Sequence, residues 1–495
     1  MADDQETAND PYALSASSIR EPPKSFFESL KYIGPGFILS ASIVGSGELI
    51  ATTILGAEAG FVLLWFIIFS CIVKVAVQLE FGKHAIGTGE PTMATFNSLP
   101  GPRIGQANWS IWTWLLLMIA KMFQVGGIIG GVVLITEGFF AFGANPDGNL
   151  TGFRIASTVI IAISVSLLVY QGYYQLLEKA SLIMIGLFTL LTLASLIMLQ
   201  KTELAISSTE FISGLIPSIP TDTKILMVAV GAFGITGVGG DEIMAYNYWL
   251  VEKGYASYVG PQDESDGWLH RAKGWIRIMY LDAILSMVAY TLMTSMFYLL
   301  GAAVLHRQGD VPAKSDLINS LSNMYTQSLG PWARNLFLAG AFVVLFSTLF
   351  AALAAWSRMF SDAFSRIGLY SFTDQKARKR SIAICAWVIP MIWGILFLWV
   401  SLPGAMVIIG GSATTVILMV VVFATLHVRY KRLDPRLKPS KLYDSILWIS
   451  AIAIMIVALK SGFDLIKNAT TKKEEPKAAM IEFAEISQQA LLASD

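Results

Sequence analysis

The chain has 495 residues, of which 55% are hydrophobic and only 14% are charged, and its mean hydropathy is +0.61. This composition excludes an ordinary soluble domain and is typical of a protein that crosses a membrane many times. The formal net charge is zero, so no overall basic or acidic character predicts a nucleic-acid partner. The two cysteines, Cys71 and Cys385, both lie in apolar stretches, and their spacing predicts neither a disulfide framework nor a metal site.

In chain order, a polar segment over residues 1–30 comes first, and we expect it to be cytoplasmic and to contain no removable signal peptide. About eleven apolar stretches follow, each long enough to cross roughly 30 Å of hydrocarbon. They are rich in Leu, Ile, Val, Phe and Met, which predicts helices rather than the alternating strands of a barrel. Numbered as spans 1 to 11, they cover residues 32–55, 60–81, 111–139, 153–171, 180–199, 225–251, 278–305, 335–361, 381–400, 403–428 and 443–466.

The loops that follow spans 2, 6, 8 and 10 are richer in Lys and Arg than the loops that follow spans 3, 5 and 7. By the positive-inside rule, this difference predicts a cytoplasmic amino terminus and, after eleven crossings, a carboxyl terminus outside the cell. The same basic clusters could instead bind anionic lipid. The expected location is the cell (inner) membrane.

Two glycine-rich acidic motifs lie inside predicted spans. Glycine weakens a helix, and both unpaired backbone groups and carboxylates are costly in hydrocarbon. We therefore expect spans 1 and 6 to unwind at these motifs and to line a binding cavity near the middle of the membrane. The motifs are Gly45-Ser46-Gly47-Glu48 in span 1 and Thr236-Gly237-Val238-Gly239-Gly240-Asp241-Glu242 in span 6.

The spacing of the two motifs predicts an inverted repeat of five plus five spans, because an odd number of crossings places the second half in the opposite orientation. The first repeat would cover residues 31–200 and the second residues 201–430. Residues 431–466 would add a loop and span 11, and residues 467–495 would form a polar tail.

The acidic residues of the motifs are the main candidates for binding. A buried, ionised Glu48 needs a cation, a proton or hydrogen-bond donors, so it is either a ligand of the cargo or half of a structural ion pair. Asp241 and Glu242 are adjacent and point about 100° apart on a helix. We expect one of them, preferably Asp241, to face the site, and the other to face a neighbouring helix or a transport pathway.

Two kinds of cargo are compatible with the chemistry of the broken helices. Carbonyl oxygens freed by unwinding, combined with carboxylates such as Glu48 and Asp241, suit a hard cation. The free N-terminus of the second half-helix offers N–H donors, which suit an anionic group instead.

Three further polar residues lie within apolar spans. Lys121 is deep in span 3, so we expect it to have a carboxylate partner. Lys74, in span 2, could extend its ammonium to the membrane surface or balance charge at the site. Gln124 could share the face of Lys121 or form an interhelical hydrogen bond.

Several motifs resemble those of Nramp-type divalent-metal transporters, over about residues 30–466 and in consistent order. The resemblance implies a leucine-transporter-type fold in an all-α integral membrane protein. The residues that carry it are Gly34-Pro35-Gly36-Phe37 before the first motif, then Leu64-Trp65, Gln78, Gly87-Thr88-Gly89, Pro217-Ser218-Ile219-Pro220, Ala302-Ala303-Val304-Leu305-His306 and Leu329-Gly330-Pro331.

The resemblance breaks down at the family's functional positions. Gly45 stands where the family has its metal-binding aspartate, and Glu48 where it has asparagine. Val238-Gly239-Gly240-Asp241 aligns with the family's Met-Pro-His-Asn, which removes the methionine sulfur that favours transition metals. Lys121 and Gln124 stand where members carry an aspartate and a glutamate linked to proton movement.

We therefore predict a secondary transporter of a hard divalent cation, of the Mg²⁺ or Mn²⁺ type, with Glu48 and Asp241 as metal ligands and with altered or absent proton coupling. The alternative is a transporter of a small polar organic solute or anion on the same fold. Neither an enzymatic activity nor a bound cofactor is expected. The expected surroundings are the lipid bilayer and a small ion or solute, and the oligomeric state is left open.

Overall fold

The computed structural model describes residues 10–140, 151–171, 174–311 and 317–463, and nearly all of these are helical. The spans are Pro35–Ile43, Val44–Thr52 and Thr53–Ala59 (span 1), Leu64–Thr88 (span 2), Trp109–Phe140 (span 3), Thr151–Tyr170 (span 4), Tyr174–Leu199 (span 5), Thr223–Ile235 and Gly240–Glu252 (spans 6a and 6b), Asp266–Leu300 and Gly301–His306 (span 7), Ala333–Arg366 (span 8), Gln375–Val400 (span 9), Pro403–His427 with Val428–Arg432 (span 10) and Lys441–Phe463 (span 11).

Short elements connect the spans. A two-residue antiparallel pair, β1 (Arg103–Ile104) and β2 (Ala107–Asn108), precedes span 3 and places Arg103 opposite Asn108. The short helices are Ala16–Ser18, Phe26–Ser29, Thr92–Asn97, Ser208–Leu215, Tyr255–Val259, Leu317–Leu329 and Pro435–Leu437.

Within the described ranges, nine helices are long and apolar enough to cross a membrane. They are spans 2, 3, 4 and 6 to 11, and the helices of spans 1 and 5 lie at the other two predicted positions. The predicted all-helical, many-span architecture is confirmed. The first nine residues and the predicted tail over residues 467–495 lie outside the described residues, and the boundaries of the two repeats stay a prediction.

The burial of the spans separates an inner set from an outer set. In their most apolar windows, spans 3, 8 and 10 are 83%, 72% and 72% buried, whereas spans 4, 9 and 11 are 33%, 39% and 28% buried. Spans 3 and 10 pack closely along each other, since a Cβ at Gly410 would collide with the backbone of Gln124. Spans 3, 8 and 10 form the inner set, which surrounds the two acidic motifs.

The two motifs differ in backbone conformation. Span 6 is interrupted as predicted, since span 6a ends at Ile235 and span 6b begins at Gly240. Span 1 does not unwind; instead, Val44–Thr52 forms a π-helix between two α-helical segments. A π-helix widens the winding but keeps the backbone hydrogen-bonded, so the prediction that span 1 frees carbonyl oxygens is corrected.

Candidate functional site

The carbonyl end of span 6a binds a buried ammonium. Lys74, on span 2, is fully buried, and its Nζ donates to the carbonyl oxygen of Phe233 at 2.6 Å and to that of Thr236. The Ser70 hydroxyl, one turn earlier, donates to the same Phe233 oxygen at 3.3 Å. The Lys74 ammonium therefore does not reach the membrane surface, because the last carbonyls of an interrupted helix hold it inside.

The carboxylate of Glu48 contacts the interruption from span 1. Its Oε1 accepts from the Gly237 N–H at 3.1 Å and from the Thr294 hydroxyl at 2.5 Å. Its Oε2 is buried and has no hydrogen-bond partner among the residues that the structure describes. One oxygen of Glu48 is thus held by the break in span 6, and the other is unpaired.

Two glycines allow span 1 and the interruption to approach each other. Gly237 has φ +61°, a left-handed conformation that glycine adopts without strain, and it directs its N–H at Glu48. At Gly47, a Cβ would collide with the carbonyl of Ile235 at the end of span 6a. The glycines of span 1 therefore serve close packing rather than unwinding.

Asp241 is held by groups from two other spans. Its Oδ1 accepts from the Lys121 ammonium at 2.7 Å, and its Oδ2 accepts from the Trp356 indole N–H at 3.0 Å. Lys121 also donates to the Thr414 hydroxyl at 2.6 Å, and this hydroxyl lies 3.4 Å from Oε1 of Gln124. Asp241 is the carboxylate partner of Lys121, and Gln124 lies beside the same pair.

Glu242 differs from its neighbour because its Oε2 is buried and has no hydrogen-bond partner in the described part of the chain. Both Asp241 and Glu242 line a narrow cavity of about 10 Å³ between spans 1, 6b and 8. The cavity lies between three helices, so two adjacent residues in the first turn of span 6b both reach its wall. The expectation that one of them faces the cargo stays a prediction.

Most of the remaining residues of the two motifs are closely packed against neighbouring groups. A Cβ at Gly45 would collide with Thr348 of span 8, one at Gly239 with the Glu242 carboxylate, and one at Gly240 would lie 2.8 Å from Ile417 of span 10. Val238 is buried. The structure describes the backbone of Ser46 but not its side chain.

Three carboxylates and two ammonium groups are thus buried around the break in span 6. Among the described residues, no three His, Cys, Asp or Glu side chains come together closely enough to hold a metal ion.

Comparison with known proteins identifies the family. The family model described as natural resistance-associated macrophage protein-like, or Nramp, matches residues 36–464. The chain belongs to the Nramp family. Proteins of this family are transporters and not enzymes, and they are multi-pass membrane proteins, as the sequence predicted.

Two similar relatives of this Nramp-family protein are bacterial. An uncharacterised protein of Pasteurella multocida is 26% identical over 332 residues, which is 66% of this chain and 69% of that protein. The divalent metal cation transporter MntH of Caldanaerobacter subterraneus is 25% identical over 287 residues, which is 57% of this chain and 60% of that transporter.

Solved structures share the fold. A manganese transporter of Eremococcus coleocola matches with a TM-score of 0.61 at 16% identity, covering 91% of this chain and 90% of that chain. MhsT in complex with L-phenylalanine matches with a TM-score of 0.56 at 17% identity, covering 89% of this chain and 100% of that chain. The predicted leucine-transporter-type fold of this Nramp-family protein is confirmed.

Several polar groups at the site of this Nramp-family protein were not predicted from its sequence. Ser70, Thr294 and Thr414 are polar residues inside apolar spans, and Ser70 lies one helical turn before Lys74. Those features could have identified them. Trp356 carries no such signal, since tryptophan is common in membrane proteins without a polar role.

Proposed function

We propose that this Nramp-family protein is a secondary transporter of a hard divalent cation, of the Mg²⁺ or Mn²⁺ type, that works by alternating access. One observation carries the proposal. The carbonyl oxygens of Phe233 and Thr236 turn inward at the break in span 6 and already hold a cation, the ammonium of Lys74. A place that holds one cation with uncharged oxygens inside a membrane protein is suited to hold another.

The surrounding acids supply the negative charge that a divalent ion requires. Glu48 and Glu242 each have a buried, unpaired carboxylate oxygen. Asp241 has both oxygens engaged by Lys121 and Trp356. We therefore assign the charge-supplying role to Glu48 and Glu242, and a positioning role to Asp241.

The chemistry of the donors favours a hard ion. Carbonyl and carboxylate oxygens suit Mg²⁺ and Mn²⁺, whereas methionine and cysteine sulfur select softer metals. Val238, a buried hydrocarbon side chain, stands in the interruption where the Nramp pattern has methionine. Relatives named as a divalent metal cation transporter and a manganese transporter support a divalent cation as cargo.

We further propose that proton coupling through span 3 is altered or absent. Lys121 is fixed by Asp241 and Thr414, and the neighbouring Gln124 has no ionisable group. A side chain held by a buried ion pair is poorly placed to load and release a transported proton.

A small polar organic solute or an anion is the second candidate, and the two buried ammonium groups of Lys74 and Lys121 favour it. Against it, the Glu242 carboxylate lies against Gly239 at the N-terminus of span 6b, so an acid of the chain already occupies the position where an anionic group would bind.

Uptake into proteoliposomes tests the proposal, with Mg²⁺ and Mn²⁺ as substrates and Glu48→Gln as the diagnostic variant. Glutamine keeps an oxygen that can accept from Gly237 but removes the charge. We expect saturable uptake by the unmodified protein and a fall in kcat/KM of about tenfold or more in the variant.

Glu137→Gln is the matched control. Glu137 also lies in a span, where it pairs with Arg154 at 2.7 Å, so its loss should leave kcat/KM near that of the unmodified protein. Absence of saturable Mg²⁺ and Mn²⁺ uptake, together with thermal stabilisation by a sugar, amino acid or anion, would replace the proposal with the second candidate.

A further inference from the structure

We propose that Lys74 is a tethered counter-ion of the transport site, whose ammonium occupies the cation-binding oxygens of span 6a when no cargo is bound and leaves them when the cargo binds. This inference rests on the proposed function and adds a residue that would set affinity and replace a co-transported ion.

The groups around the Lys74 ammonium form a general cation-binding site. Phe233 and Thr236 supply carbonyl oxygens at the negative end of the span 6a dipole. The face of the Phe233 ring lies 5.0 Å from the Lys74 nitrogen and adds a cation–π contact. These groups recognise positive charge in general rather than lysine in particular.

The other buried lysines of the described structure differ from Lys74 in their partners. Lys83 lies 2.5 Å from a Glu80 oxygen, and Lys121 lies 2.7 Å from an Asp241 oxygen. No described carboxylate forms such an ion pair with Lys74. Glu48 is nevertheless close, since it accepts from the N–H of Gly237, the residue that follows the Thr236 carbonyl bound by Lys74. Lys74 therefore lacks the strong pairing that fixes the other two.

Glu48 offers a second position for the Lys74 ammonium. Its Oε2 is buried and unpaired in the described structure, and the four-carbon stem of lysine allows the head group to change partners. A divalent cation and the ammonium cannot share the Phe233 and Thr236 oxygens. Arrival of the cargo would displace Lys74, and departure of the cargo would let it return.

The return of the ammonium has a functional consequence. An empty site with exposed carbonyls and an unpaired acid is costly in a membrane interior. Lys74 would neutralise it during the return half of the cycle, a task that a co-transported proton or sodium ion would otherwise perform.

The alternative is that Lys74 only caps span 6a. A pure cap predicts that its removal lowers stability without strengthening cation binding. A tethered counter-ion predicts that removal strengthens binding, because the competing charge is gone.

Calorimetric titration of the purified full-length protein with Mn²⁺ separates these cases. The variants are Lys74→Gln and Lys74→Met, with Lys224→Gln as the control, since Lys224 is exposed and pairs with Glu58. We expect Mn²⁺ to bind the two Lys74 variants about tenfold or more tightly than it binds the unmodified protein and the control.

Each outcome decides a separate question. The inference is supported if Mn²⁺ binds only to a Lys74 variant, or if it binds a Lys74 variant at least tenfold more tightly than it binds the unmodified protein. Equal or weaker binding by folded Lys74 variants overturns it and leaves the proposed function standing. Absence of Mn²⁺ binding in every protein overturns the inference, and absence of Mg²⁺ binding in the same titration overturns the proposed function as well.

A structure of the unmodified protein with Mn²⁺ gives a second measurement that does not depend on the variants folding. The expected result is a Lys74 nitrogen displaced from the Phe233 and Thr236 oxygens. Bound Mn²⁺ at the break with Lys74 still on those oxygens would contradict the inference.

Discussion

At the scale of single residues, Asp241 joins spans 3, 6 and 8 through its two oxygens. One accepts from Lys121, and the other accepts from Trp356. A buried ion pair is tolerated only when its remaining hydrogen-bonding groups are satisfied, and here Thr414 accepts a further bond from the ammonium.

Breaking this pair from one side should be costly. Lys121→Met leaves Asp241 charged and unpaired in a medium of low dielectric, so we expect the free energy of unfolding to fall by about 3–5 kcal/mol. Denaturant unfolding in detergent measures the change.

A double variant and a surface variant serve as comparisons for Lys121→Met. The double variant Lys121→Met with Asp241→Asn should lose less stability than the sum of the two single variants, since neither charge is then left alone. Lys224→Gln removes an exposed partner from the Glu58 pair and should change stability by less than about 1 kcal/mol. If the stability lost by the double variant equals the sum of the two single losses, the buried charges of Lys121 and Asp241 do not stabilise each other.

At the scale of elements, the same glycine-rich composition leads to two different helices. Span 6 is interrupted between Ile235 and Gly240, and span 1 continues as a π-helix. The difference lies in the surroundings. Lys74, Ser70 and Glu48 satisfy the backbone groups that the interruption exposes, whereas Gly45 and Gly47 bring span 1 against spans 8 and 6a.

The interruption of span 6 requires a left-handed backbone conformation at Gly237. Alanine there would adopt φ +61° at a cost of about 1–2 kcal/mol, and its Cβ would lie 3.1 Å from Tyr290. We expect Gly237→Ala to lower the thermal midpoint and, by moving the N–H away from Glu48, to reduce cation uptake.

Gly186→Ala in span 5 is the matched control, because a Cβ there meets no atom within 4 Å. It should keep uptake and slightly raise stability, since alanine favours the helix. Equal effects of the two substitutions on the midpoint and on uptake would remove the argument for a conformational requirement at Gly237.

At the scale of the whole molecule, the orientation in the membrane is a prediction from the basic loops. The positive-inside rule predicts that the loop between spans 8 and 9 is cytoplasmic and that the loop between spans 5 and 6 is outside. Leu369 is 70% exposed in the former loop, and Glu203 is exposed in the latter. The two positions therefore report on opposite faces of the membrane.

Cysteine labelling with a membrane-impermeant maleimide tests this orientation. Cys71 and Cys385 are buried, so their background should be low. We expect Leu369→Cys to react only in inside-out vesicles and Glu203→Cys only in right-side-out vesicles. The opposite pattern would invert the proposed topology.

The sequence by itself determined the helical spans, the interruption of span 6 and the buried charges beside that interruption. Hydrocarbon permits only hydrogen-bonded backbone, so long apolar stretches identify helices. A charge inside such a stretch has a high free-energy cost, so it indicates a functional or paired residue. This identified Glu48, Lys74, Lys121 and Asp241.

Only the tertiary structure decided how those charges are shared. It directed Lys74 to backbone carbonyls and Lys121 to Asp241, it left an unpaired oxygen on Glu48 and on Glu242, and it kept span 1 helical. The physical reason is that each of these outcomes depends on partners from spans far apart in the chain. A periodic pattern within one span shows which residues are buried, but not which distant groups they meet.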